Sequence, residues 1–180
     1  MSLSKQNPIL AATGYVVAKD VIVGMVLRTP LGDTTVVRVF ETIERQSIGV
    51  NIDDVRLFGF HRMLLPDLTW GVVKNDAYVA HQVKTGFMSD KTGLWLGSPS
   101  VSTVFSFVGD ALVSPDMFTS DCTLESRIHI ETENKIIVVG RLIADGHVIP
   151  SLNGETPPMG DYPLPTITQD QLEAFKNEYF

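Results

Sequence analysis

The sequence contains a single cysteine, Cys122, in 180 residues. An internal disulfide framework and a zinc site built from thiolates both need several sulfurs, so both are excluded. Charged residues are also scarce, at 19% against about 25% in typical soluble domains, while apolar residues make up 44%. This balance excludes a disordered chain and predicts one domain with one core. The lack of disulfides favours an intracellular, cytoplasmic protein.

Positive charge is low and scattered along the chain. Fourteen Lys and Arg residues against 21 Asp and Glu give a net charge of -7, and no stretch concentrates basic residues. We therefore expect no nucleic-acid partner. The longest uninterrupted apolar run, residues 21–27, is far shorter than the ~20 residues that span a bilayer. The N-terminus also lacks the apolar run of a signal peptide, so we expect no membrane association.

The common catalytic motifs are missing as well. The segment most similar to a nucleophile elbow is Gly97-Ser98-Pro99-Ser100. It has neither the spacing nor the following helix that the elbow needs. The sequence contains no phosphate loop, no dinucleotide fingerprint and no H-E-x-x-H pair. We therefore predict no catalytic residues, no cofactor and no metal site.

What the sequence does contain is typical of β-strands. β-branched and aromatic residues recur in short runs that Gly, Pro and Asp interrupt about every ten residues. No interior segment shows a helical period of 3.6. The prediction is a mainly β fold, a single antiparallel β-sandwich or barrel of about ten short strands. These cover residues 14–19, 21–28, 34–41, 47–51, 55–60, 70–74, 77–83, 101–108, 122–131 and 135–143.

Two hairpins are predicted. Residues 122–131 alternate between apolar and polar and would pair with residues 135–143. That register sets Glu131 beside Lys135 and Glu125 opposite Arg141. Residues 21–28 and 34–40, joined by a Pro-Leu-Gly-Asp turn, form the second hairpin, which is apolar on both faces. Such a hairpin lies in a core or covers itself with another subunit, and both possibilities stay open.

The composition changes at Pro150, after which five of the ten prolines fall within residues 150–165. This stretch predicts an extended arm. A short amphipathic helix then follows, since Thr168 and Gln171 match a capping box. The predicted division is an N-terminal arm (1–13), a β domain (14–149), a Pro-rich arm (150–167) and a terminal helix (168–180). Candidate partner-binding residues are Pro157, Pro158, Tyr162, Leu172, Phe175 and Tyr179.

Two further clusters are candidate binding sites. His129, Glu131 and Glu133 could hold a zinc or manganese ion, but Arg127 lies on the same face, and an exposed polar strand face is the favoured interpretation. The long Gly-rich segment 84–102 carries Phe87 and Trp95, which form either an aromatic platform for a ligand or a cap over the core.

Two functions are consistent with these features. The favoured one is a non-enzymatic structural or assembly protein, either a homo-oligomer or one subunit among other structural subunits, whose arms bind those neighbours. Its Val- and Thr-rich, charge-poor composition is typical of virion components, such as a capsid, cement or connector protein of a bacteriophage, which would place it in the virion. The alternative is a β-domain, possibly an enzyme, that binds a small molecule or carbohydrate through the 84–102 loop.

Overall fold

The computed structural model describes residues 2–44, 47–58, 61–73, 95–96, 102–109, 111–113, 118–121, 125–147 and 163–180. Almost all regular structure in these residues is β-strand, and a single α-helix lies near the C-terminus. No helix in the described ranges is long and apolar enough to cross a membrane. The first eight strands are β1 (Ser2–Ser4), β2 (Pro8–Ala11), β3 (Gly14–Val17), β4 (Val26–Thr29), β5 (Gly32–Glu44), β6 (Ser47–Ile52), β7 (Val55–Phe58) and β8 (Met63–Leu64).

The remaining strands are shorter, and the helix closes the chain. They are β9 (Trp70–Val73), β10 (Trp95–Leu96), β11 (Ser102–Val104), β12 (Ala111–Val113), β13 (Phe118–Asp121), β14 (Glu125–Thr132), β15 (Ile136–Val139), β16 (Leu142–Asp145) and α1 (Gln169–Tyr179).

Most of the strands belong to one continuous sheet. Its order is β10-β9-β8-β16-β15-β2-β4-β5-β14-β1-β7-β6-β13, with β3 paired to β2, while β11 and β12 form a separate pair. Among the paired strands of the described residues, only β10 and β9 run parallel to each other. The long strand β5 connects the two halves, because its first residues pair with β4 and its later residues pair with β14.

The two halves of the sheet pack against each other over the larger core cluster. This cluster joins residues from one half, such as Ile9, Val139 and Leu142, to residues from the other, such as Leu3 and Ile128. All five are at most 1% exposed. The sheet therefore curls over its own inner face, which explains how a mainly β chain with few charges buries one large core.

A second cluster covers the outer face of strands β15 and β16. Within β15, Ile137 and Val139 belong to the larger core, while Ile136 and Val138 belong to the second cluster. The second cluster is closed by Leu172 and Phe175 of α1 and by Phe107. Strands covered on both faces need an unbroken apolar run rather than alternation, and residues 136–139 form one.

Helix α1 starts where the capping box predicts. The Thr168 hydroxyl accepts from the Gln171 amide at 3.2 Å, and the Gln171 side chain accepts from the Thr168 amide at 2.9 Å. These two bonds satisfy amide groups that a helix start leaves without intrahelical partners. The mainly β class, the antiparallel pairing and the short terminal helix are confirmed. The sheet itself is open rather than closed into a barrel.

The predicted hairpin between residues 122–131 and 135–143 is wrong. Strand β14 pairs with β5 and β1, whereas β15 forms its hairpin with β16 through a turn at Gly140 and Arg141. Gly140 adopts a φ of 56°, which suits the first central position of a two-residue turn. Glu125 accordingly faces Glu44 across the ladder rather than Arg141. Lys135 does contact Glu131, with their charged atoms 3.4 Å apart.

The second predicted hairpin and the two predicted arms have different outcomes. The β4–β5 hairpin exists, with Val26 opposite Thr35 and Thr29 opposite Gly32, but residues 21–25 lie outside its strands. The segment predicted as an N-terminal arm forms β1 and β2 within the sheet instead. Most of the Pro-rich arm, residues 150–162, lies outside the described residues.

Candidate functional site

A row of cross-strand neighbours crosses the middle of the sheet at the start of β1. Ser2 lies opposite Phe58 of β7 on one side and opposite His129 of β14 on the other, and His129 in turn lies opposite Phe40 of β5. Residues directly opposite each other share a sheet face, with Cβ atoms about 4.5–5.5 Å apart. The hydroxyl-bearing residue Ser2, only 7% exposed, therefore has an imidazole as its immediate neighbour.

His129 is held as a neutral imidazole. Its ring stacks on Phe40 with centroids 4.5 Å apart, and its Nε2 lies 2.9 Å from the Thr42 hydroxyl oxygen. Burial lowers the pKa of His129 to about 3, and the positive charges of Arg127 and Arg38 act in the same direction. At neutral pH this ring can accept a proton but carries no charge of its own.

The tautomer of His129 follows from its partners. The Nδ1 atom is buried and has no hydrogen-bond partner within the described residues. An orphaned N–H in the interior costs more than a lone pair without a donor, so Nδ1 is the unprotonated nitrogen. Nε2–H then donates to the Thr42 oxygen. His129 therefore offers an unprotonated ring nitrogen, and the register places its residue directly opposite Ser2.

His61 connects the start of β1 to the end of β16. This fully enclosed side chain places Nδ1 3.3 Å from the Ser2 carbonyl oxygen and Nε2 2.7 Å from the Asp145 carbonyl oxygen. Burial lowers the pKa of His61 to about 3, so it is neutral and has one N–H for two acceptors. The proton lies on Nε2, because the contact of Nε2 with the Asp145 oxygen is the shorter of the two. Nδ1 then faces the Ser2 peptide as an unprotonated nitrogen.

A buried ion pair fixes the β16 end of the site. Arg62 donates from Nε and Nη2 to Oδ2 of Asp145, both at 3.0 Å, and the two side chains are 3% and 0% exposed. The other carboxylate oxygen accepts from the His147 amide at 2.7 Å. Burial raises the pKa of Asp145, and the charge of Arg62 limits that rise. The pair anchors the backbone where β16 ends.

Of the three metal candidates His129, Glu131 and Glu133, Glu131 forms ion pairs instead, and His129 stacks on Phe40. Glu131 binds Arg38 at 3.2 Å, Lys135 at 3.4 Å and the His147 ring at 3.3 Å. The Arg38 and Lys135 cations occupy the carboxylate that a metal ion would use, while burial lowers the pKa of the His147 ring and favours its neutral form. Within the described ranges, no group of three or more His, Cys, Asp or Glu side chains could hold a metal ion.

The predicted partner-binding residues divide into two sets. Leu172 and Phe175 lie buried in the second core cluster of their own domain, and Tyr179 packs against that cluster. The other three, Pro157, Pro158 and Tyr162, lie outside the described residues. Of the predicted ligand loop, Phe87 also lies outside them, and Trp95 is described only as part of β10. Whether these residues contact another protein or a ligand stays an untested prediction.

Sequence reasoning missed the residues that meet at the site. Ser2 falls within the predicted N-terminal arm, and no local pattern marks it as a strand residue between β7 and β14. His61 and Arg62 carried a usable signal, since a histidine and an arginine directly before the apolar run Met63-Leu64-Leu65 are buried with it. Charged groups in such a position need partners, which points to a buried polar site.

Comparison with known proteins gives matches at the level of structure. No family model and no curated protein sequence matches the chain. Among solved structures, the gp41-1 intein aligns with a TM-score of 0.53 at 11% identity, covering 80% of this chain and 97% of its own. An intein-like domain from Clostridium thermocellum aligns with a TM-score of 0.53 at 14% identity, covering 80% and 97%. A DnaB intein from Synechocystis aligns with a TM-score of 0.51 at 15% identity, covering 82% and 99%.

These neighbours overturn the predicted function. The chain was expected to be a virion structural protein, and that prediction is wrong, together with its capsid and bacteriophage assignments. The composition misled because Val, Thr and low charge follow from a curled sheet buried on both faces, whatever the sheet does. At 11–15% identity the likeness establishes the fold alone, and that fold is the intein-like β fold.

Proposed function

We propose that this chain is an intein-like, self-processing domain that rearranges the peptide bond preceding Ser2. The observation that carries the proposal is the strand register that sets Ser2 directly opposite His129. A serine hydroxyl becomes a useful nucleophile when an adjacent base takes its proton. The shared fold with inteins and the intein-like domain supports a reaction on the chain's own backbone.

The reaction is an isomerisation that needs no second reactant. The Ser2 Oγ attacks the carbonyl carbon of residue 1, and His129 Nδ1 accepts the hydroxyl proton. The C–N bond then breaks, the Ser2 nitrogen leaves as an amine after taking up a proton, and an ester joins residue 1 to Oγ. Positioned general bases of this kind contribute about 10²–10⁴-fold to rates.

The second imidazole supports a role at both ends of the domain. Protein splicing removes a domain from a longer chain, so the two ends of that domain have to meet. His61 contacts the Ser2 carbonyl at the start of β1 and the Asp145 carbonyl at the end of β16. A single buried ring therefore joins Ser2, the residue that follows the bond to be rearranged, to the end of β16.

A fusion protein tests the proposal. A small reporter protein replaces Met1, and the fusion is treated with dilute hydroxylamine at neutral pH, which cleaves an ester and leaves ordinary peptide bonds intact. Hydroxylamine also attacks Asn-Gly bonds slowly, and the chain contains one, Asn153–Gly154, whose fragments differ in mass from the reporter hydroxamate. We expect release of the reporter as a hydroxamate, detected by intact mass. Ser2→Ala should abolish the release, and His129→Gln should slow it by about 10²-fold or more.

Ser4→Ala is the matched control, because Ser4 lies two residues further along β1 and pairs with Arg127 rather than His129. Its variant should release the reporter at the wild-type rate. Release that persists in Ser2→Ala, or a folded fusion that yields no hydroxamate, would contradict the proposal.

A further inference from the structure

The chain that follows the site returns to its own domain and binds there. After β16, residues 163–180 lie against the outer face of the sheet, where the Trp70 indole N–H donates to the Pro165 carbonyl at 2.9 Å. Ile167, Leu172 and Phe175 are at most 5% exposed. An 11-residue helix is marginal alone in water, so this burial is what keeps α1 folded.

The surface that receives this segment is assembled from distant parts of the domain. It comprises Leu10 of β2, Ile136 and Val138 of β15, Ile143 of β16 and Phe107. The Phe107 ring stacks on Phe180 with centroids 4.4 Å apart and meets Phe175 at 5.2 Å. This is the arrangement by which an apolar groove binds one face of an amphipathic helix.

A basic side chain adds a contact at the helix end. The guanidinium of Arg28, at the β4–β5 hairpin, lies 5.8 Å from the centre of the Tyr179 ring. Arg28 also binds Asp33, the residue opposite it in the ladder. The groove therefore contacts the segment near both of its ends, at Pro165 through Trp70 and at Tyr179 through Arg28.

We propose that residues 163–180 are a self-sufficient binding element, which stays in this groove when the backbone between β16 and residue 163 is cut. All the contacts described above are non-covalent and join the segment to residues that precede the end of β16. The consequence for processing rests on the proposed function. A chain break after Asp145 would leave the downstream product bound to the domain rather than free.

The test makes the cut with an added protease, so its outcome does not depend on self-processing. A recognition sequence for a specific protease is inserted between Pro150 and Tyr162 of the full chain, which is then cleaved and passed through a sizing column. We expect both fragments to elute together at micromolar concentration, each identified by mass. The same result is expected in a Ser2→Ala background.

Variants show whether the groove holds the fragment. Phe175→Ala should weaken the complex by at least about 100-fold, measured by dilution in the ultracentrifuge after cleavage. Lys176→Ala is the matched control, because the neighbouring Lys176 is exposed, and it should leave the affinity unchanged. Separate elution of the wild-type fragments, with the larger fragment still folded by circular dichroism, would overturn the inference.

Discussion

At the residue scale, the site is built around imidazoles that the fold keeps uncharged. His61 and His129 both have pKa values lowered to about 3, mainly by burial. A charged imidazolium next to Ser2 would have no free lone pair with which to accept a proton, so burial keeps both rings in the neutral form that can act as a base, although the lowered pKa makes each a weaker one. Burial of the two rings therefore sets their charge state, and it also makes the stability of the protein depend on pH.

His61 predicts how stability changes with pH. Its folded-state pKa is depressed below the usual value of 6.5, so the stability that the neutral ring supports is complete above pH 6.5 and is lost as the pH falls towards 3. The unfolded chain binds the extra proton, which costs about 1.4 kcal/mol per pH unit. Urea unfolding of the wild type and of His61→Gln at pH 7 and pH 5 measures the slope.

The wild type should lose about 2 kcal/mol more than His61→Gln over that interval. The comparison of slopes removes the contributions of other titrating groups that both proteins share, Asp145 included. Parallel slopes would mean that His61 is protonated inside the folded protein, and the neutral-base assignment would fail.

The ion pair between Arg62 and Asp145 predicts a large effect of a single substitution. Arg62→Met leaves a buried carboxylate without its cation, so the free energy of unfolding should fall by about 3–5 kcal/mol. Lys5→Met is the control, because the Lys5–Glu41 pair is substantially exposed and its loss should cost no more than about 1 kcal/mol. Equal losses in urea unfolding would show that burial of the pair is unimportant.

At the element scale, the sequence predicted what is decided locally. The capping box gave the start of α1, and the Pro-Leu-Gly-Asp turn gave the β4–β5 hairpin, because each is encoded within a few residues. The 122–143 hairpin failed because β14 finds its partners in β5 and β1, far away along the chain. Alternation in residues 125–131 fits a core-facing strand beside any neighbour, so it selects a face but not a partner.

The same distinction explains why the site itself was not predicted. Its pairing of Ser2 with His129 joins residues more than a hundred positions apart. The contacts of His61 likewise reach back to Ser2 and forward to Asp145. A single sequence shows that these residue types are present, while the topology that brings them together is set by packing of the whole sheet.

Helix α1 gives the prediction at this scale. Phe175 is 5% exposed and meets the rings of Phe107 and Tyr179 at 5.2 and 4.8 Å. Phe175→Ala should lower the free energy of unfolding by about 3–5 kcal/mol through lost burial and the cavity that remains. Glu173→Ala, on the exposed side of the helix, should change it by less than about 0.5 kcal/mol. An unchanged denaturation curve for Phe175→Ala would show that the helix is not docked in solution.

At the scale of the whole molecule, low charge has two structural causes that composition does not separate. Strands β15 and β16 are apolar because both of their faces are covered within the domain. The β4–β5 region instead presents apolar residues to solvent, with Ile22, Val23 and Val37 between 41% and 65% exposed. Self-association through this exposed surface stays a prediction.

Truncation distinguishes the groove that α1 covers from the exposed apolar surface of the β4–β5 region. A chain ending at Pro150 lacks α1, so the groove formed by Leu10, Val138, Ile143 and Phe107 loses its cover. Uncovered apolar area of this kind promotes association, and light scattering should show a larger average mass than the full chain at equal concentration. Adding a peptide of residues 163–180 should reverse the increase. If both chains instead show the same mass and bind a hydrophobic dye equally, α1 does not shield the groove, and any association belongs to the exposed β4–β5 surface.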